Sequence, residues 1–163
     1  MKDFIRTCVK MKEVHVNPNS ISSAIGNAID TKIKKDMEGV CCEDGYILKD
    51  SIEIIERSMG KIINVNNQSK ITYTIKYKCS IINPSEGMDI DCYINSVTKM
   101  GAVAYIKYNN ITEFKDSPLL IIIPKTYSPE ADNLEVNKKF KIKILATRLK
   151  YRSNQIHVVA KLV

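Results

Sequence analysis

Five cysteines and two histidines are the first residues to weigh, because thiolates and imidazoles are the commonest soft ligands and strong nucleophiles. Cys41 and Cys42 are adjacent, Cys8, Cys79 and Cys92 are scattered, and His15 and His157 lie at opposite ends of the chain. There is no Cys-x-x-Cys pair, so the spacing speaks against zinc, and the thiols read as reduced and mostly buried in an intracellular protein. Asp89 and Asp91 are the best acidic pair. Two residues apart in a strand, they share a face. Such a pair suits a metal-dependent nuclease, but on a barrel's first strand it is more commonly just solvated. No Ser-His-Asp order, phosphate-binding glycine loop or HExxH motif is present. The expectation is a protein with no catalytic residues, no metal and no cofactor.

The cations say more. Lys138, Lys139, Lys141, Lys143, Arg148, Lys150 and Arg152 fall within one short stretch that contains no acid. Lys139, Lys141 and Lys143 alternate with Phe140, Ile142 and Ile144, so one face of that strand is expected to be basic and the other buried. A basic strand face can track a nucleic-acid backbone, although a plain solvated face has the same pattern. Bases need rings to stack on. Tyr105 and Tyr108, three apart, are expected on opposite sides of one strand, so only one of them can be at the surface. Lys99 and Lys107 flank them, and Tyr151 sits between Lys150 and Arg152.

These residues must be held by regular elements, and the clearest run from residue 71 to residue 106. Ile71, Tyr73, Ile75, Tyr77, Cys79 and Ile81 alternate with polar residues, the period of a half-buried strand. The run breaks at Asn83-Pro84-Ser85-Glu86-Gly87, and a new strand opens with Met88, Ile90, Cys92 and Ile94. Before it, residues 2–16 read as one or two short strands. Asn17 or Asn19 can cap a helix that Pro18 starts. That helix carries Ile21, Ala24, Ile25, Ala28, Ile29, Ile33 and Met37 on its apolar side, and Gly39 ends it. A hairpin-like run over 40–56 follows, then a loop or projecting hairpin tip over 60–69.

After the break the pattern is all strand: 88–97, 102–108, 119–124, 138–149 and 155–163, with a bend at Gly101 and a polar insertion over 125–137. Five strands in about 80 residues describe an OB barrel, although another five-strand barrel or sandwich has the same strand count. The expected fold class is α+β. A tip or docking domain over 1–82 has an antiparallel sheet with one packed helix, and a five-strand OB barrel covers 83–163.

The totals agree. A chain of 163 residues with 44% hydrophobic content can bury a core, and a net charge of +7 suits a polyanionic partner without requiring one. No apolar run exceeds that from Leu119 to Ile123, and the N-terminus has no stretch of signal-peptide length, so no membrane partner is expected.

Taken in order, the residues resemble a known family. Asn17-Pro18 before an amphipathic helix, Glu38-Gly39-Val40-Cys41, Gly45-Tyr46-Ile47, Lys76-Tyr77 in the long strand, Pro84 and Gly87 at the crossover, Val97 and Gly101 at the barrel start, and Thr147-Arg148 near its end are similar to the large stalk subunit of multisubunit RNA polymerases. That family comprises the seventh subunit of eukaryotic polymerase II and its archaeal counterpart. The resemblance covers nearly the whole chain. Three departures stand out: asparagines in the tip loop where the family has glycines, a short insertion over 125–137, and an end at Val163 where many members add a tail. The abundance of Ile, Lys and Asn suggests a large DNA virus as the source.

The resemblance implies a non-catalytic stalk subunit. It would dock on the polymerase body near the clamp through Asn17, Pro18, Gly39, Gly60, Lys61, Ile62 and Ile63. Its barrel would bind nascent single-stranded RNA through Lys99, Tyr105, Lys107, Tyr108, Lys141, Lys143, Arg148, Lys150, Tyr151 and Arg152, in support of initiation. Implied partners are the other polymerase subunits, chiefly the largest ones, with a second stalk subunit as an optional companion. The implied location is the nucleus for a cellular protein, and the host cytoplasm or virion for a viral one. A free-standing OB-barrel factor in translation or RNA processing is the alternative reading.

Overall fold

The computed structural model describes residues 4–20 and 25–163, so Ile21 and Ala24 of the expected helix lie outside the described residues. It divides into two compact units. One comprises Arg6–Glu38 and Ile47–Ile81, the other Met1–Ile5, Gly39–Tyr46 and Ile82–Val163.

In the first unit, β1 (Ile5–Val16) is a single strand. A short 3-10 turn, Pro18–Ser20, leads toward α1 (Ile25–Met37). Asn17 accepts the Asn19 N–H at 3.1 Å, the local capping that its side chain is built for. Ile29 and Ile33 of α1 are buried. Ala28, expected on the same face, is exposed, because it falls one position off the i, i+4 line through Ile25, Ile29 and Ile33. Gly39 has φ of +74°, the left-handed stop that ends many helices.

The long strand β6 (Gln68–Ile82) organises the sheet of this unit, pairing with β1, β4 (Glu53–Arg57) and β5 (Lys61–Val65). The short strands β2 (Cys41–Cys42) and β3 (Gly45–Ile47) pair with each other, and residues 41–46 belong to the second unit. The alternation expected for β6 is observed, with Ile75, Tyr77, Cys79 and Ile81 buried. β5 and β6 form the projecting hairpin, joined by Asn66 and Asn67 with φ of +51° and +60°. Two left-handed residues make the turn that matches strand twist, and Asn tolerates that conformation best after Gly. The asparagines therefore do conformational work that glycine often does in such turns.

The second unit contains a closed barrel of β7 (Asp89–Thr98), β8 (Gly101–Tyr105), β9 (Leu119–Pro124), β10 (Lys139–Arg148) and β11 (Ile156–Leu162). β7, β8 and β9 meander antiparallel, β11 lies parallel to β9, and β10 returns to close on β7. This is the connection order of an OB barrel. Ile90, Cys92, Ile94, Ala104, Leu119, Ile121, Ile123, Ile142, Ile144, Ile156 and Val158 fill the interior. Bulges at Asn95 and Leu145 break the register of β7 and β10 and supply curvature. At the β7–β8 turn Gly101 has φ of +141°, and a Cβ there would lie 2.2 Å from the Ile123 carbonyl oxygen.

One strand assignment is corrected. β8 ends at Tyr105, so Tyr108 is not on it. Asn109 takes φ of +47°, and Tyr108 instead bridges Ile111 through paired backbone hydrogen bonds of 3.1 and 2.8 Å.

Candidate functional site

Most of the candidate nucleic-acid residues lie in three places on the barrel. On the β7–β10 ladder, Lys139 stands opposite Tyr93, Lys141 opposite Asp91 and Lys143 opposite Asp89. The lysines do not form a bare basic face. Lys139 Nζ is 3.0 Å from Asp91, while Lys141 and Lys143 lie 4.0 and 3.9 Å from Asp89. The Asp91 hydrogen bond, with its charge, holds the Lys139 ammonium above its ordinary pKa. The expected division of β10 is observed, with Lys139, Lys141 and Lys143 outward and Ile142 and Ile144 buried, but the outward lysines are paired. The division follows from β10 alone, whereas the carboxylates come from the neighbouring strand.

The second place is the end of β8. Tyr105 is 4% exposed, with its ring 6.2 Å from that of Tyr93 and edge-on to Phe114 at 6.0 Å. Of the two tyrosines it is the covered one, and a ring enclosed this way has no face for a base. Lys107 Nζ sits 4.4 Å from the centre of the Tyr93 ring, a cation–π contact. Tyr108 is half-buried. Tyr93 is the ring that sequence reasoning misses. It shares the outward face of β7 with Asp89 and Asp91, and the alternation of that strand is the available signal.

The third place is the turn between β10 and β11. Arg148, Lys150, Tyr151 and Arg152 are all exposed, Tyr151 by 62%. The turn is pinned from both sides. Ser153 N–H donates to the Lys150 carbonyl, Arg152 N–H to the Cys41 carbonyl at 2.9 Å, and Cys41 N–H to the Ser153 carbonyl at 2.7 Å. Arg152 has φ of +65° and its guanidinium lies 5.8 Å from the Tyr151 ring. The antiparallel registers put the β10–β11 turn, Lys107 and Tyr108 toward the end of the barrel where β7 begins. Lys99, just past the far end of β7, is at the opposite end. The structure thus gathers Arg148, Lys150, Tyr151 and Arg152 on one turn, places Lys107 over Tyr93, keeps Lys141 and Lys143 on the β7–β10 ladder, and leaves Lys99 apart.

The candidate docking residues belong mostly to the first unit; Gly39 belongs to the second. Lys61, Ile62 and Ile63 are on β5, with Ile62 77% exposed and opposite Ile71. Gly60 is where the strand passes tightly over its neighbour. A Cβ there would come within 2.7 Å of Ile71 and 3.0 Å of the Tyr73 ring. Met59, 89% exposed, escapes the sequence reading although it adjoins Gly60. Asn17 is exposed and caps the turn as described above, and Pro18 is half-buried.

Burial, reinforced by neighbouring Cys42, pushes the Cys41 thiol up to about 11. Burial again, then the Asp91 charge, pushes Cys92 up to about 12. Neither is a nucleophile at neutral pH. Among the described residues no group of three His, Cys, Asp or Glu side chains is placed to hold a metal, and no helix is long and apolar enough to cross a membrane.

No protein-family model matches the chain. Among curated proteins, it is 27% identical over 146 residues to the DNA-directed RNA polymerase II subunit rpb7 of Schizosaccharomyces pombe, covering 83% of this chain and 82% of that protein. The chain is RPB7-like. It is also 24% identical over 94 residues to RNA polymerase II subunit RPB7 of Glycine max, covering 57% of this chain and 52% of that one. Both relatives are cellular, and neither supports the viral source suggested by composition. In this RPB7-like chain the tip hairpin and the barrel stand in the order that the resemblance implies.

Proposed function

We propose that this chain is a non-catalytic stalk subunit of a DNA-directed RNA polymerase, acting inside the cell in a nuclear-type setting. Residues 1–82 dock on the polymerase body near the clamp, and residues 83–163 bind nascent single-stranded RNA in support of initiation. The observation that carries this reading is the likeness to a polymerase II subunit over 83% of the chain, joined to a barrel of OB order. The exposed Met59 and Ile62 beside a tight glycine support docking at the tip, because large apolar side chains held out on a projecting hairpin gain most from a protein partner. The pinned β10–β11 turn supports RNA contact. It offers two cations without a carboxylate partner among the described residues, Arg148 and Lys150, beside an open ring, Tyr151. Lys107 and Tyr108 extend that set, while Tyr105, being covered, supports the barrel instead of contacting RNA.

The test is affinity purification of the tagged full chain from its native cells, followed by mass spectrometry. Recovery of the large polymerase subunits in stable proportion is expected. Recovery of the chain with RNA and no polymerase subunit would replace this reading with that of a free-standing RNA-binding factor.

A further inference from the structure

The paired lysines of β10 differ from the cations of the β10–β11 turn, and the difference has a purpose. Lys139, Lys141 and Lys143 face two carboxylates across the ladder, so a row of three positive charges carries a net charge near one. No carboxylate pairs with Arg148 or Lys150 among the described residues, and the stretch from Lys138 to Arg152 contains no acid. The five ladder groups are all at least one-third exposed. Exposed pairs of this kind add little to stability, so folding does not account for them. Their effect is on the field outside the barrel. A phosphate approaching within a Debye length, about 8 Å at physiological salt, meets lysine and carboxylate together.

We infer that Asp89 and Asp91 hold down the affinity of the β7–β10 face for single-stranded RNA, so that the strand is gripped at the β10–β11 turn and only loosely along β10. The inference rests on the reading of the barrel as an RNA binder. An RNA held this way is anchored at one end of its footprint and free to slide along the rest. That suits a surface whose ligand lengthens and moves.

The experiment compares the full chain with the double variant Asp89→Asn, Asp91→Asn, using a labelled single-stranded oligouridine over a range of salt concentrations. Asparagine keeps the shape and removes the charge. Binding roughly three- to tenfold tighter at low salt, with a log–log salt slope steeper by about one, is expected as the lysines become available to phosphates. The gain should vanish when Lys141 and Lys143 are also changed to Gln. Unchanged or weaker binding by the double variant, with normal binding by the wild type, overturns this inference and leaves the RNA-binding reading standing. No binding by either protein overturns both. Binding by the variant alone would overturn the grip at the β10–β11 turn, and with it both readings.

Discussion

Lys139 Nζ and the Asp91 carboxylate meet at 3.0 Å across the β7–β10 ladder, on the outward face of the barrel. The contact joins a lysine of the expected basic face to a member of the best acidic pair in the sequence. Each neutralises the other's more obvious role. A carboxylate occupied by an ammonium is a poor metal ligand, and an ammonium so occupied is a weaker phosphate contact. The candidate RNA surface accordingly shifts toward the turn that follows β10.

Charge reversal should therefore be uneven. Arg148→Glu is expected to weaken binding to single-stranded RNA more than Lys141→Glu, because Lys141 is already offset by Asp89. The triple change of Lys141, Lys143 and Arg148 to Glu should flatten the log–log salt slope by up to about two, at ~0.7 for each phosphate no longer neutralised. A fluorescence titration at several salt concentrations gives both quantities. Equal losses at Arg148 and Lys141 would contradict the shift toward the turn.

Much of the architecture is readable from the residues. The alternation in β6, the break around Pro84 and Gly87, and five strand runs after it point to the fold class, because period-two burial leaves its mark in each strand alone. The ladder pairs cannot be read this way. Which residue of β7 stands opposite Lys139 depends on register, and register is fixed by the closed barrel, not by either strand. Tyr108 is misplaced by sequence for a related reason. Its run looks like a continuing strand, and only the left-handed Asn109 and the bridge to Ile111 turn it away. Ile62 is conspicuous because two apolar residues stand together in a polar loop, while Met59 close by is a lone apolar residue and gives no such signal.

Docking should depend on the tip and not on overall stability. Ile62→Asp and Met59→Asp change side chains that are 77% and 89% exposed, so each is expected to move stability by no more than about 0.5 kcal/mol. Both should reduce recovery of polymerase subunits in the affinity purification. Gly60→Ala should do so with a stability loss, since its Cβ collides with Ile71 and Tyr73. Normal recovery with Ile62→Asp, Met59→Asp would remove the start of β5 from the docking surface.

Two glycines make a controlled comparison. Gly101→Ala combines a strained φ with a 2.2 Å approach to a backbone oxygen that cannot move aside, and should cost at least ~2 kcal/mol in urea unfolding. Gly87→Ala meets only the dihedral strain, since nothing lies within 4 Å of its Cβ, and should cost about 1 kcal/mol. Equal losses would mean that the close approach at Gly101 relaxes freely.

Ser117 is a buried hydroxyl with three backbone partners. Its Oγ donates to the Leu119 carbonyl at 2.9 Å and accepts the N–H groups of Ile106 and Leu119, both at 3.3 Å. Ser117→Ala strands these groups inside the barrel wall, where water cannot replace the hydroxyl. A loss of roughly 1–3 kcal/mol is expected in chemical unfolding. A change near zero would show that the loop before β9 rearranges to pair them otherwise.

Stability should fall on the alkaline side. In the folded protein burial pushes Cys92 and Tyr46 up to about 12 and Cys41 up to about 11, while in the unfolded chain the thiols titrate near 9.0 and the phenol near 10.0. Above pH 9 the unfolded state sheds protons that the folded state keeps, so the unfolded state binds fewer and stability falls as pH rises. The contribution is complete below pH 9 and is lost between about 9 and 12. Urea unfolding from pH 7 to 11 should show a flat region and then a decline, and Cys92→Ala should make that decline shallower while lowering stability at pH 7 through the cavity it leaves. The same burial predicts that a thiol reagent at neutral pH labels half-buried Cys8 first, and Cys41, Cys42, Cys79 and Cys92 only on unfolding. Rapid labelling of Cys92 in the native protein would show that the barrel opens on the timescale of the reaction.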